Sequence, residues 1–342
     1  MKMNKITTLL FVPLLLLCGC TADDDYTQGV WKEKSDFDGL ARGYACSFTI
    51  GDMGYVCCGY TGKKYLKDIW IYNVEKDYWT QGADMPDTAP ARMKAMAFAV
   101  NGKGYVLTGS IKESPYYLSD TWEYNPDTNA WTQKDDYKDG ARMGGLAFAI
   151  NGYGYAGMGY NDNYLKDVYR FDPSAASGSQ WTIVSGYGGS KRRFGSVFVI
   201  NDEAYICCGE NNGTYVDDFW KFNGTTWTQL RDIANNDDDN DYDDDYNIVR
   251  YSAPAFVIDG KGYLVGGAQG SMLSDYWIYD PSTDLWYGDS DDNYTTFQGS
   301  TRLGAVSIST GTRGFVVTGM SGSSDAFDDT WELLPYEKDY DD

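Results

Sequence analysis

Six arginines and six aspartates recur along the chain, and they are its most conspicuous candidates for chemistry. The arginines are Arg42, Arg92, Arg142, Arg192, Arg250 and Arg302, spaced 50, 50, 50, 58 and 52 residues apart. The aspartates are Asp68, Asp120, Asp167, Asp218, Asp275 and Asp329, each two residues before an aromatic. Six guanidinium groups around one mouth would form an anion-binding funnel. The same arginines could instead neutralise the matching aspartates. A charge present in every repeat fits the repeat's own architecture better than it fits one ligand.

The chain contains no histidine. That excludes Ser-His-Asp and Cys-His catalysis, imidazole metal sites and a histidine general base. Residues that break the repeat are better placed to serve a ligand. Glu113 and Glu210 fall in loops after the second strand of their units. Tyr116 and Tyr117 sit in a long loop of the same kind, with Tyr60, Tyr160 and Tyr164 in comparable places. Such rings suit stacking on sugars, and equally suit packing between units. An acidic insertion at 235–245 includes Asp237, Asp239, Asp241 and Asp243. It could gather oxygen ligands for Ca²⁺, although it lacks EF-hand spacing and its glycine, and a solvated acidic loop explains it as well. A second acidic connection follows at 289–292.

Beyond residue 20 the cysteines are Cys46, Cys57, Cys58, Cys207 and Cys208, with no CxxC metal pattern. Their odd number leaves at least one thiol without an internal partner. Neighbours in a strand point to opposite faces, which argues against 57–58 and 207–208 bridges. A two-residue turn at Gly51-Asp52 would set Cys46 opposite Cys57, where a strained disulfide could form. Buried free thiols are the expectation.

The elements that hold these residues follow from the repeat. After each arginine comes an alternating apolar run, such as MAFAV (96–100) or LAFAI (146–150), then a tight turn such as Asn101-Gly102 or Asp259-Gly260. Asn-Gly and Asp-Gly supply the positive φ angles of a two-residue hairpin. The return strand carries Tyr55, Tyr105, Tyr155, Tyr205, Tyr263 or Phe315 and ends at a glycine. A third strand follows the aspartate. A fourth carries Trp79, Trp131, Trp181, Trp227 or Trp286. Four short strands repeated about every fifty residues predict an all-β, six-bladed β-propeller of four-stranded blades. The sixth unit lacks its fourth-strand tryptophan, while Trp31 stands alone before the first unit. Residues 30–34 are therefore expected to close the last blade.

The segments AFAVNGKGYVLTG and LSDTWEYNPDTNAWTQ resemble the kelch repeat and the kelch-like blades of the galactose-oxidase central domain. The resemblance spans about residues 30–335. It departs from the pattern where the glycine doublet is reduced to one glycine and where Tyr169 replaces a tryptophan. Within that family, the sialic-acid mutarotase type handles an anionic sugar with an arginine and an acid near the axis. A glutamate near the axis in one blade alone would favour that activity here.

The beginning of the chain, MKMNKITTLLFVPLLLLCGC, has a short basic region and an apolar stretch too short to span a bilayer comfortably. Leu17-Cys18-Gly19-Cys20 resembles a bacterial lipobox, which implies cleavage after residue 19 and a lipid on Cys20. The acidic run Asp23-Asp24-Asp25 resembles the surface-export signal of Bacteroidetes-type lipoproteins. The expected organisation is a signal peptide (1–19), an acidic tether (20–29) and a propeller (30–337). The expected location is the outer membrane, facing the exterior or, alternatively, the periplasm. A net charge of −22 with no basic stripe excludes nucleic acid as a partner. The expected protein is a monomeric binding or scaffold module that meets a glycan or an envelope protein. The alternative is a sugar-processing enzyme of the mutarotase type.

Overall fold

The computed structural model describes residues 26–234, 247–288 and 294–340. Cys20 and its leader, Asp237, Asp239, Asp241 and Asp243, and the 289–292 connection lie outside the described residues. Six four-stranded antiparallel sheets form the six blades. Blade 2 is representative, with strands Met96–Val100, Lys103–Leu107, Thr121–Asn125 and Ala130–Gln133 in spatial order. The first strands of neighbouring blades face one another around a central axis, and Val306–Ser309 of blade 6 returns to Cys46–Ile50 of blade 1.

Side chains wedged between blades hold the ring together. Within blades 1 to 5 a phenylalanine of the first strand stacks on the tyrosine opposite it, as in Phe48–Tyr55 (4.8 Å, 10°) and Phe98–Tyr105 (5.1 Å, 18°). Such pairs contribute about 0.5–1.5 kcal/mol beyond their burial. The phenylalanine also reaches the next blade. A Cβ added to Gly104 would lie 2.0 Å from Phe48, and one on Gly154 would lie 2.1 Å from Phe98. The glycine of the second strand is therefore a packing requirement between blades.

The orphan tryptophan closes the ring. Tyr26–Glu33 is the outermost strand of blade 6, antiparallel to Thr330–Tyr340. Trp31 lies opposite Leu333, buried, with its ring edge-on to Phe297 at 4.8 Å. The pairing is longer than the five expected residues: it begins at Tyr26, opposite Tyr340, and steps through a bulge between Gln28 and Val30.

All five described cysteines are buried free thiols, and Cys46 faces Cys57 in register as its turn required. One detail departs from the sequence reading. Cys58 lies just beyond its strand, with φ of 66°, so the Cys57 and Cys58 sulfurs converge to 3.2 Å instead of diverging.

Candidate functional site

The repeated arginines do not form a funnel. Each is at most 3% exposed and grips the aspartate of its own blade. In blade 2, Arg92 donates to Asp120 Oδ1 and Oδ2 at 2.6 Å each, to the Thr108 carbonyl at 3.0 Å and to the Pro90 carbonyl at 3.1 Å. Asp120 also accepts Trp122 Nε1 at 2.7 Å. The strut ties the blade's first strand to the end of its second and the start of its third. Arg42, Arg142, Arg192, Arg250 and Arg302 make the same carbonyl contact sixteen residues on. Buried and ion-paired inside the blade, these six are corrected from ligand candidates to blade architecture.

Two residues after each arginine, the chain reaches the axis. Tyr44, Lys94, Gly144, Phe194, Ser252 and Gly304 all have φ between 54° and 63°. Their backbones form a hoop: Tyr44 N–H donates to the Gly304 carbonyl, Lys94 to Tyr44, Gly144 to Lys94, Phe194 to Gly144 and Ser252 to Phe194, at 2.7–2.9 Å. The left-handed conformation suits glycine, and two blades use it. Side chains at the others project around a mouth of about 160 Å³. Below it the axial channel, of about 460 Å³, is lined by small residues such as Ser47, Ala97, Ala147 and Ser307.

Charge enters this mouth in one sector. The Lys94 ammonium stands 4.9 Å from the Tyr44 ring centre and 5.3 Å from that of Phe194. It makes no hydrogen bond or ion pair among the described residues. Burial and the neighbouring Arg193 hold it below the usual lysine range, with Glu210 acting in the opposite direction. Arg193 pairs with Glu210 across a backbone bridge, Nε and Nη2 both reaching Oε1 at 2.6 and 2.5 Å. Its Nη1, and Glu210 Oε2, have no hydrogen-bond partner among the described residues.

Tyrosines rim this sector. The Arg193 guanidinium lies 4.8 Å from the Tyr160 ring and 5.2 Å from that of Tyr164. Tyr117 meets Tyr160 edge-on and donates to Asp162, and burial with that carboxylate pushes its phenol up to about 12. On the other side, Tyr215 and Tyr251 lie parallel with ring centres 6.2 Å apart. The structure thus brings together Glu210, Tyr117, Tyr160 and Tyr164. Glu113 and Tyr116 lie on the exposed crest of the blade 2 loop, and Tyr60 bonds within its own loop to the Gly62 carbonyl.

Lys94, Arg193, Tyr44 and Phe194 were not found by reading the repeat for shared residues. Aligning its columns exposes them. One residue after the arginine the blades carry Gly43, Met93, Met143, Arg193, Tyr251 and Leu303, with a single charge among them.

Residues 41–86 match the family described as Kelch motif, a span holding Arg42, Asp68, Trp70 and Trp79. The chain carries a kelch motif in its first blade and folds as a six-bladed β-propeller. The solved structure of YjhT resembles it with a TM-score of 0.69 at 17% identity, covering 87% of this chain and 95% of that one. No curated protein matches it in sequence. In all, 679 solved chains match it in structure, so the likeness carries architecture and leaves function to the mouth.

Proposed function

We propose that this propeller is a lipid-anchored carbohydrate-binding protein whose axial mouth takes an acidic sugar. One observation carries the reading. Lys94 Nζ, Arg193 Nη1 and Glu210 Oε2 are without hydrogen-bond partners among the described residues, beside the rings of Tyr44, Phe194, Tyr160 and Tyr164. Two donors and an acceptor next to aromatic faces suit a ring with both hydroxyls and an apolar face. Glu210 pairs with Arg193, while the Lys94 ammonium has no ionic partner among the described residues, which leaves an unmatched cation at the mouth of a chain of −22. That bias selects a sugar acid over a neutral sugar.

The lipid on Cys20 rests on the lipobox-like motif. The strand nearest it, Tyr26–Glu33, is the outermost of blade 6, so an anchor there would leave the axial mouth unobstructed. A Cys20→Ser variant should fail to incorporate labelled fatty acid; continued labelling would refute the anchor.

Titration of the soluble chain lacking residues 1–20 with sialic acid, uronic acids and their neutral counterparts tests the binding reading. Saturable binding of the acids is expected, with loss of about tenfold or more in Arg193→Met. An absence of binding to any sugar would overturn it and direct attention to a protein partner. A second reading is favoured by Glu210, the one glutamate at the mouth among the described residues. Glu210 would accept a proton from the anomeric hydroxyl while Lys94 donates to the ring oxygen, opening the hemiacetal and exchanging anomers. NMR exchange spectroscopy separates the two: binding without accelerated exchange refutes the enzyme, and acceleration abolished by Glu210→Gln supports it.

A further inference from the structure

We propose that Lys94 is a reactive amine that captures the open-chain carbonyl of a reducing sugar as an imine. The proposal rests on the carbohydrate reading of the mouth and adds a covalent step to it. Four features support it. The ammonium has no carboxylate partner among the described residues. It is half-buried and flanked by two aromatic rings, at 4.9 and 5.3 Å. The charged groups that act on it are Arg193 and Glu210, which are engaged with each other, and the cation acts the more strongly. Its backbone is left-handed at φ 57°, where Gly144 and Gly304 occupy the equivalent positions in other blades. A long charged side chain is retained in a backbone conformation that favours glycine, the kind of strain that collects at functional sites. A lysine desolvated beside a second cation loses its proton more readily and becomes nucleophilic. The charged and titratable groups facing it are Arg193, Glu210 and Tyr44.

The step balances without an external oxidant or reductant. The ammonium first gives a proton to solvent. The nitrogen lone pair then forms an N–C bond to the aldehyde carbon, and the carbonyl oxygen takes up a proton as a carbinolamine. Loss of the second N–H proton and of the hydroxyl, together one water, leaves the C=N bond. A methyl glycoside cannot open and cannot enter this reaction.

The test uses the full chain solubilised in detergent, glyceraldehyde and a reducing uronic acid as probes, and cyanoborohydride to trap the imine as a secondary amine located by peptide mass spectrometry. Trapping at Lys94 should outpace that at the exposed Lys63, Lys64 and Lys112 by roughly tenfold. Lys94→Arg should lose the adduct, while the unaltered chain should bind the methyl glycoside without forming one. If the glycoside binds but Lys94 is trapped no faster than the exposed lysines, the imine is refuted and the sugar site stands. If glyceraldehyde is trapped at Lys94 while no sugar binds, the reactive amine stands and the sugar reading fails.

Discussion

Changing Asp120 to asparagine tests whether the repeated ion pair is a strut of the blade. Arg92 is wholly buried, and Asp120 supplies two of its four acceptors at 2.6 Å while also receiving Trp122 Nε1. Asparagine keeps the shape but carries no charge and offers one acceptor oxygen, so an uncompensated guanidinium remains buried with an amide N–H₂ beside it. Removing one partner of such a pair costs about 3–5 kcal/mol. For a domain of this size that is a loss on the order of 10 °C in melting temperature. The double replacement Arg92→Met with Asp120→Leu removes both charges and should recover most of the loss. Urea unfolding followed by tryptophan fluorescence measures all three chains, and sugar binding is recorded alongside. A loss below about 1 kcal/mol for Asp120→Asn, or a double variant worse than the single, would show that the pair is not what holds the blade. A variant of unchanged stability that no longer bound ligand would restore the arginines as site residues.

Truncating Trp31 to alanine should cost about 3–5 kcal/mol, because a buried ring wedged between Phe297 and Tyr276 leaves a cavity at the closure; thermal melting checks this, and an unchanged midpoint would refute closure by the first strand. Acid should destabilise the fold through Asp68 and Asp275. Burial raises each carboxyl, but the Arg42 or Arg250 guanidinium and a tryptophan N–H outweigh it, leaving both below the ordinary value. A depressed folded pKa means that stability is fully present above the unfolded value of about 3.9 and is lost as pH falls through the folded one. Unfolding free energies measured from pH 6 to pH 2 should therefore hold level and then fall, and a rise on acidification would contradict the assignment.

What was legible in the sequence was whatever six copies reinforce. The hairpin turns, the alternating apolar runs and the aromatic wedges each follow from local chemistry repeated in register, and Trp31 was visible as the missing member of a set. The convergence of Cys57 and Cys58 was not legible, because it depends on a left-handed residue just past a strand end. The length of the closing strand was hidden for a related reason. Residues 26–28 and 338–340 pair beyond a bulge, outside the alternation that marks an ordinary blade strand. The arginines were the most visible charged residues and the least available, since repetition reveals a role in the blade.

The same logic explains why the mouth was hard to see and why its occupants are informative. In the hoop two residues beyond each arginine, the hydrogen bonds run through the backbone alone, so no side chain is needed to build it. Its positive φ favours glycine, and a propeller serving only as a scaffold could place glycine in every blade without loss. Blades 3 and 6 do so. Blades 1, 2 and 4 instead place Tyr44, Lys94 and Phe194 there, and these three meet one another over the channel. The alternative explanation is that they merely plug the axis. Under that explanation Lys94→Gly should raise stability by relieving strain and leave sugar binding unchanged. Under the site explanation the same substitution gains stability and loses binding, and that opposition is the measurement that decides between them.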